Sequence, residues 1–389
     1  MTQREEARRT LAHIRGMRDD FVSFLTDLCW VESPTDHPET QNGVHDLLGP
    51  AFEQVDYDVR IIRGRVSGDH LLAMPRRRVR GAPFQLLVGH TDTVWPLTTL
   101  QRMPMEVSEG RLHGPGTLDM KGGLTQIVFA LRALRDLDQL PQVTPVVFIN
   151  SDEEIGSPDS KTYVERLARR AKRALILEPS LGPSGRIKTA RKGVGRFEVT
   201  LTGRASHAGL DPESGASAIL ELSHVIQSMN AMNDPELGTT VNVGLVDGGT
   251  RPNVVAAHAT ATVDVRVATA EEGVRFEKAI NALRPVTAGV TLKVTGGIEV
   301  APLERTPRNR SLWKAAIGAG EDLGFRLEEA VAGGGSDGNT TSQFTATLDG
   351  LGCVGDGAHA DHEHIVIDPS VDRCALLARL LLAPPGSAQ

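Results

Sequence analysis

Apolar residues recur along this chain in two rhythms, and each predicts a different kind of element. At helical spacing, Leu11, Ile14, Phe21, Phe24, Leu25 and Leu28 place one apolar face on a helix over residues 5–29, ended by Pro34 and Pro38. A second helix is expected over 44–54, and others over 124–137 (with Ile127, Leu131 and Leu134 on one face), 160–171, 310–323 and 369–382. Short unbroken apolar runs are the mark of strands buried on both faces. They occur at 84–89, 145–150 and 174–177, and strands are also expected at 55–62 and 70–73. Helix and strand alternating in this way predict an α/β domain, with a central mixed, mostly parallel sheet flanked by helices.

Between residues 187 and 300 the texture changes. Strands are expected at 196–202, 239–246, 254–267 and 290–294, with helices at 216–229 and 270–283. Four strands and two helices make a small α+β unit with its helices on one face of the sheet. The expected organisation is one domain from 1–186 and 302–389, interrupted by an inserted domain over 187–301.

Composition narrows the classes. The 389 residues are 40% hydrophobic and 23% charged, enough for two cores. A net charge of −7 gives no electrostatic case for nucleic acid or an anionic membrane. The arginine runs at 75–80 and 169–173 are expected to be solvated surface. No apolar stretch is long enough to span a bilayer, and the charged N-terminal residues lack a signal-peptide core. Three cysteines (Cys29, Cys353, Cys374) argue against a disulfide framework, so a cytoplasmic setting is expected.

Chemistry gathers where the apolar runs end. The first run finishes in Gly89-His90-Thr91-Asp92. His90 and Asp92 read either as a metal-binding histidine with the carboxylate that fixes its tautomer, or as a strand end and a turn cap. Asp119, in Gly114-Pro-Gly-Thr-Leu-Asp-Met-Lys-Gly-Gly123, opens a helix and reads as a metal ligand or an N-cap. The second run delivers Asp152-Glu153-Glu154, either an acidic turn or two glutamates pointing to opposite sides, one toward a metal and one toward substrate and water. The third ends at Glu178. The carboxyl edge of such a sheet is where sites lie. In the histidine-rich loop 359–364, His359 directly follows the glycines and is the candidate ligand; solvation is the competing reading. The glycine cluster 333–335 lacks a Walker lysine and the dinucleotide spacing, so it is weak evidence for phosphate.

Taken together, Gly-His-Thr-Asp-Thr-Val, Gly-Pro-Gly-Thr-Leu-Asp-Met-Lys-Gly-Gly, Asp-Glu-Glu-Ile-Gly-Ser, Glu-Pro-Ser, Gly-Arg-Ala-Ser-His-Ala-Gly, and Gly-Ala-His with Glu363 beyond it resemble the zinc metallopeptidase family of glutamate carboxypeptidase, aminoacylase, acetylornithine deacetylase and succinyl-diaminopimelate desuccinylase. The likeness is greatest to the glutamate carboxypeptidase branch. It implies two zinc ions per subunit, replaceable by cobalt or manganese. His90 and Glu178 would hold one, Glu154 and His359 the other, and Asp119 would bridge them. It makes Glu153 the general base, Asp92 the partner of His90, and His207 the oxyanion donor. Asn253, Arg266, Gly335 and Ser336 would meet substrate, with Arg266 pairing its carboxylate. The inserted domain would be a lid that also forms a homodimer.

The implied reaction is hydrolysis of an amide in a short peptide or N-acyl amino acid, releasing a C-terminal amino acid such as glutamate. An N-acyl-amino-acid deacylase or a dipeptidase is the alternative, because Gly357-Ala358-His359 resembles the deacetylases equally. A non-catalytic dimeric binding protein would be expected to have lost ligands or base, and here all are present.

Overall fold

The computed structural model describes residues 2–79 and 81–384. The chain opens with α1 (Gln3–Gly16) and α2 (Arg18–Trp30), a break at Met17 replacing the single helix expected over 5–29. Gly16 closes the first helix, and Met17, outside helical geometry (φ −100°, ψ 14°), starts the second. Then come α3 (Asn42–Gln54), β1 (Tyr57–Ile62), β2 (His70–Pro75) and β3 (Phe84–His90). A short hairpin follows, β4 (Glu106–Ser108) and β5 (Arg111–His113). α4 (Gly122–Asp136), β6 (Thr144–Asn150), α5 (Lys161–Ala168), β7 (Ala171–Ile176) and β8 (Ile187–Arg191) follow. Next are β9 (Gly193–Thr202), α6 (Ala218–Asn230), β10 (Thr240–Gly248), β11 (His258–Val267), α7 (Ala270–Asn281) and β12 (Thr291–Val300). The chain finishes with α8 (Pro307–Leu323), β13 (Glu329–Ala332), α9 (Asp337–Ser342), β14 (Ala346–Leu348), β15 (Gly355–Asp356), β16 (His364–Val366) and α10 (Ile367–Leu382).

Two compact units result. The first comprises Met1–Ala190, Arg305–Ala332 and Ser336–Gln389; the second comprises Arg191–Glu304 with Gly333–Gly335. In the first, six strands run in the order β1-β2-β6-β3-β7-β14. β6, β3, β7 and β14 are mutually parallel, while β1 and β2 add antiparallel pairings at one edge. The central strands are buried on both sides. Leu87, Val147, Ile149 and Leu175 share a core with Leu124 and Ile127 of α4, while Leu86, Val88, Val146, Phe148 and Ile176 pack with Val164 of α5. That is why these strands read as unbroken apolar runs.

The chain leaves β3 for β6 on one side and then crosses to β7 on the other. His90 therefore ends the strand at the topological switch point, where open α/β sheets leave a crevice. A second small sheet, β15-β16-β5-β4, joins the hairpin to the chain's end and lies just before Asp119 and around His359 in sequence.

The second unit is a four-stranded antiparallel sheet, β10-β11-β9-β12, with α6 and α7. Phe197, Val199, Val263, Val265, Leu222 and Phe276 lie in its core. Alternation along β9 and β11 is strict, the signature of a sheet with one wet face.

One surface expectation fails. In the run 169–173, Arg173 is 2% exposed and donates to Gln85 Oε1 (2.9 Å) and to the carbonyls of Leu380 and Ala383 (2.8 Å each). It ties the start of β7 to the chain's last helix, and burial lowers its guanidinium to about 10. Arg169 stacks on Phe344, 3.8 Å from the ring centroid.

Candidate metal centre

Three parallel strands deliver their last residues to one edge. His90 ends β3, Glu153 and Glu154 follow β6, and Glu178 follows β7. Asp119 arrives from a stretch just before α4, and His359 from the turn after β15. Gly123 lets α4 start close to β7, since a Cβ there would collide with the Leu177 carbonyl.

His90 is 1% exposed. Its Nδ1 lies 2.8 Å from the carbonyl oxygen of Asp92 and 3.4 Å from Asp92 Oδ1. The carbonyl therefore accepts the Nδ1–H and leaves Nε2 as the nitrogen that faces the cluster. Nε2 is 3.4 Å from Asp119 Oδ1 and 3.3 Å from Glu178 Oε1. His359 Nε2 is 3.4 Å from Asp119 Oδ2 and 3.3 Å from Glu154 Oε2. One carboxylate thus turns one oxygen toward each histidine. His90, Glu153 and Glu178 also converge, with ligand atoms within 4.8 Å of one another.

Three details differ from the sequence expectations. Glu153 and Glu154 do not continue a strand to opposite faces; they form a single 3-10 turn, Glu153–Ile155. Asp92 does more than accompany His90. Its carboxylate accepts the backbone N–H of Glu153 (3.2 Å) and of Glu154 (3.1 Å) and the Thr35 hydroxyl (2.9 Å). Asp119 is not a helix cap, because α4 begins three residues later and the Asp119 backbone is non-helical (φ −115°, ψ 98°).

Three further residues, to which the sequence reading gave no role, complete the surroundings. Lys188 Nζ lies 3.9 Å from Glu178 Oε2 and is 7% exposed. Asp337 accepts from Asn150 Nδ2 (2.7 Å) and Ser157 Oγ (2.8 Å), so it grips the Glu153–Ile155 turn from both sides. Glu363 accepts the Trp95 indole N–H and three backbone N–H groups around Asp119. Asp337 was signalled by its place beside the glycine cluster and Glu363 by the motif that follows His359, whereas Lys188 had no signal in the sequence.

Electrostatics shows what this cluster lacks. Burial raises Glu153 well above the usual carboxylate range, and Glu178 adds to it; burial also raises Glu154. Burial opposes charge on His90, yet Asp119, Asp92 and Glu178 hold it well above its ordinary value. Hydrogen bonds that Asp119 and Glu154 accept from it push His359 up to about 10. Asp119 is held low by His359 and His90 in spite of its burial. Protons thus supply the positive charge that the carboxylates require. In addition, His90 Nε2, Asp119 Oδ1 and Glu154 Oε1 are buried with no hydrogen-bond partner among the described residues. Imidazole nitrogen and carboxylate oxygen with open lone pairs suit zinc and its divalent neighbours.

The profile of Peptidase family M20/M25/M40 matches residues 86–383, which include every one of these groups. The chain belongs to that family. Among its relatives is carboxypeptidase G2 of Pseudomonas sp. (strain RS-16), 29% identical over 373 residues, 93% of this chain and 88% of the relative. Acetylornithine deacetylase of Myxococcus xanthus is 30% identical over 227 residues, 55% of this chain and 58% of that one. The fold matches aminopeptidase PepT from Bacillus cereus ATCC 10987 with a TM-score of 0.77 at 23% identity, covering 94% of this chain and 98% of the other. As an M20 protein the chain is a hydrolase of the metallopeptidase class, in a family that uses metal ions. No helix among the described residues is long and apolar enough to cross a membrane.

The remaining expected residues are placed as follows. Ser336 is 7% exposed and its hydroxyl is committed, donating to Asp349 Oδ2 (2.5 Å) and accepting from Gly338 N–H (3.0 Å). In the second unit, the carbonyls of Gly334 and Gly335 accept from Arg191 Nη1 (3.1 and 3.0 Å). His207 is exposed, and its Nδ1 accepts the N–H groups of Gly209 (3.2 Å) and Leu210 (3.1 Å), which leaves the proton on Nε2. Asn253 lies beside it, its carbonyl accepting from Ala208 N–H (3.0 Å). Arg266 forms a two-pronged ion pair with Asp264 (2.8 and 2.9 Å).

Proposed function

We propose that this M20 protein is a dinuclear zinc hydrolase that cleaves an amide bond to release a C-terminal amino acid, in the manner of a glutamate carboxypeptidase. The observation that carries the reading is Asp119, which presents Oδ1 to His90 and Oδ2 to His359. Such a carboxylate suits two cations side by side. His90, Glu178 and Asp119 would hold one, and Glu154, His359 and Asp119 the other.

When bound, zinc supplies Lewis acidity and lowers the pKa of water from about 16 toward about 7. Glu153 lies beside His90 and Glu178 and would take the proton from the attacking water and return it to the leaving amine. Its raised affinity for a proton suits that shuttle. Asp92 keeps Glu153 in place through the backbone N–H. His207, with its proton on Nε2, is a donor of the kind an oxyanion requires. Arg266 is a guanidinium fork suited to a substrate carboxylate, which would have to displace Asp264. The dimer expected through the second unit is supported by apolar groups left in water on its edge strand β10 and on α6: Leu245, Val246, Ile219 and Leu220.

The deciding experiment is amino-acid release from a panel in which the C-terminal residue and the acyl group vary separately, with zinc-loaded and chelator-stripped protein. Zinc-dependent turnover favouring glutamate with a bulky acyl group is expected. Preference for acetyl groups would move the protein to the deacylases, whose relatives it also matches. No turnover with metal bound would leave a binding protein.

A further inference from the structure

Glu363 is 1% exposed, and its carboxylate is met by four N–H donors, not by a histidine of the cluster or an arginine among the described residues. Its Oε1 accepts the N–H groups of Leu118 (2.9 Å) and Asp119 (3.0 Å). Its Oε2 accepts Gly116 N–H (2.9 Å) and Trp95 Nε1–H (2.6 Å). Four donors fill the four acceptor positions of a carboxylate, so this glutamate is fully used and is not itself a metal ligand.

The donors need it. Residues 117–121 form one wide turn, closed by Lys121 N–H on the Gly116 carbonyl (3.0 Å), but Asp119 and Met120 leave helical geometry, so the N–H groups before them have no regular ladder. Successive N–H groups in such a concavity form an anion-binding nest. In most proteins a ligand phosphate or a water would fill it; here the chain fills it with its own side chain, from 244 residues away.

The same residue also closes the turn that carries His359. Glu363 N–H donates to the Ala360 carbonyl (2.9 Å), Ala360 N–H donates to Gly357 (2.8 Å), and the Glu363 carbonyl accepts from Gly114 N–H (3.1 Å). Gly357 and His359 both adopt positive φ, 84° and 61°. A non-glycine residue in that region is strained unless its surroundings hold it. Glu363 is what ties this turn to the Gly114–Asp119 stretch.

We propose that Glu363 is the positioning residue that fixes the distance between Asp119 and His359, and through it the affinity of the cation held by Asp119, Glu154 and His359. This rests on the dinuclear reading above. It assigns a role to a side chain that touches neither metal nor substrate. The partners of metal ligands are worth about 10–100-fold in metal affinity, and Glu363 partners Asp119 through its backbone.

The test titrates zinc into chelator-stripped wild type, Glu363→Ala and Glu363→Gln by calorimetry with a competing chelator, with and without added formate. Wild type is expected to take two equivalents. In Glu363→Ala the weaker equivalent should fall about 10–100-fold while the tighter one changes less. Formate, a free carboxylate small enough for the vacated nest, should restore it. Glu363→Gln, which keeps one acceptor oxygen but turns an N–H₂ toward two donors, should fall in between without rescue. Trp95 fluorescence should shift in both variants, and urea unfolding of the stripped proteins separates misfolding from misplacement.

If Glu363→Ala does not fold, Glu363→Gln carries the test alone. Wild-type affinity for both equivalents in the variants overturns the positioning role. So does equal loss of both equivalents that formate leaves unchanged. Wild-type protein that takes up fewer than two equivalents would instead overturn the dinuclear reading.

Discussion

His90 and Glu178 leave the ends of neighbouring parallel strands, whereas Glu154 and His359 sit on turns whose shape is imposed from outside. The first pair inherits its position from the β3/β7 ladder, and both residues are buried. On the other side, His359 has a side chain 52% exposed and a left-handed backbone. Each turn-borne part is matched by a buried carboxylate that collects backbone N–H groups. Asp92 does so for Glu153 and Glu154, and Glu363 does so for Asp119. A sheet places ligands by its own hydrogen bonds, while a turn needs an acceptor brought to it. The centre is therefore expected to be stiff on the β3/β7 side and dependent on long-range contacts on the other.

The largest effect belongs to the residue on the turn that does chemistry. Glu153→Gln should lower kcat by about 100–10,000-fold while zinc still binds, because the amide occupies the same volume but cannot take a proton. Steady-state kinetics with a zinc titration on the same sample checks this. Unchanged turnover would remove Glu153 as base and leave the comparison one of metal sites only.

Replacing the histidines one at a time comes next. His359→Ala should keep one tightly held zinc, because His90 and Glu178 do not depend on that turn. His90→Ala should lose the tight equivalent and also lower the unfolding midpoint, since it empties a buried position. Metal counting by elemental analysis after dialysis distinguishes them. If either variant loses both equivalents together, the two halves act as one.

Much of the stiff half could be read from the chain itself. Leu86 to Gly89, Val146 to Ile149 and Ala174 to Leu177 are apolar because both sheet faces are covered, and each run announces the polar residue that follows it. The turn half was legible less directly: His359 was marked only by its place after the glycines and Glu154 by the buried strand before it, and the resemblance assigned their roles. What escaped altogether are bonds between distant segments. Glu363 to the Asp119 stretch, Asp337 to the Glu153 turn, and Arg173 to α10 each span 180 residues or more. Arg173 shows the cost of reading charge runs as surface, for four of its neighbours are also apolar or basic and only the fold shows which one turns inward. The two- to four-residue strands β4, β5, β13, β14 and β15 are too short for any periodicity to reveal.

Asp92→Asn sharpens the comparison at the turn of Glu154. The carboxamide has one acceptor oxygen for two N–H groups and the Thr35 hydroxyl, so one donor is left facing an N–H₂. Zinc affinity or kcat should fall about 10–100-fold, with the weaker equivalent affected more. An effect confined to the tighter equivalent would mean that Asp92 acts through His90 and not through the turn.

The smallest effect is the pH dependence of the metal-free protein, and its sign follows from the groups named. Glu153 and Glu154 hold protons more tightly than free carboxylates, and burial raises Asp337 to about 7. Their stabilisation is complete below the unfolded value near 4 and is lost as pH rises, through about 7 for Asp337. His90 is raised well above its ordinary value and His359 to about 10, so theirs is complete below about 6.5 and lost as pH rises, through about 10 for His359. Asp119, held low, works the other way, but only in strong acid. Burial lowers His45 to about 4 and also lowers His70 and His113, which oppose this slope below about pH 6.5. Between about pH 6.5 and 9 the native state therefore binds more protons than the unfolded chain, and stability falls with rising pH. Zinc takes the place of those protons, so the loaded protein should lose this slope and gain affinity as pH rises. Urea midpoints of stripped and loaded protein at about pH 6.5, 7 and 8.5 measure both. A flat or rising midpoint in the stripped protein would mean that the carboxylates tolerate one another without protons, and the turn-borne side would then need no cation to hold it.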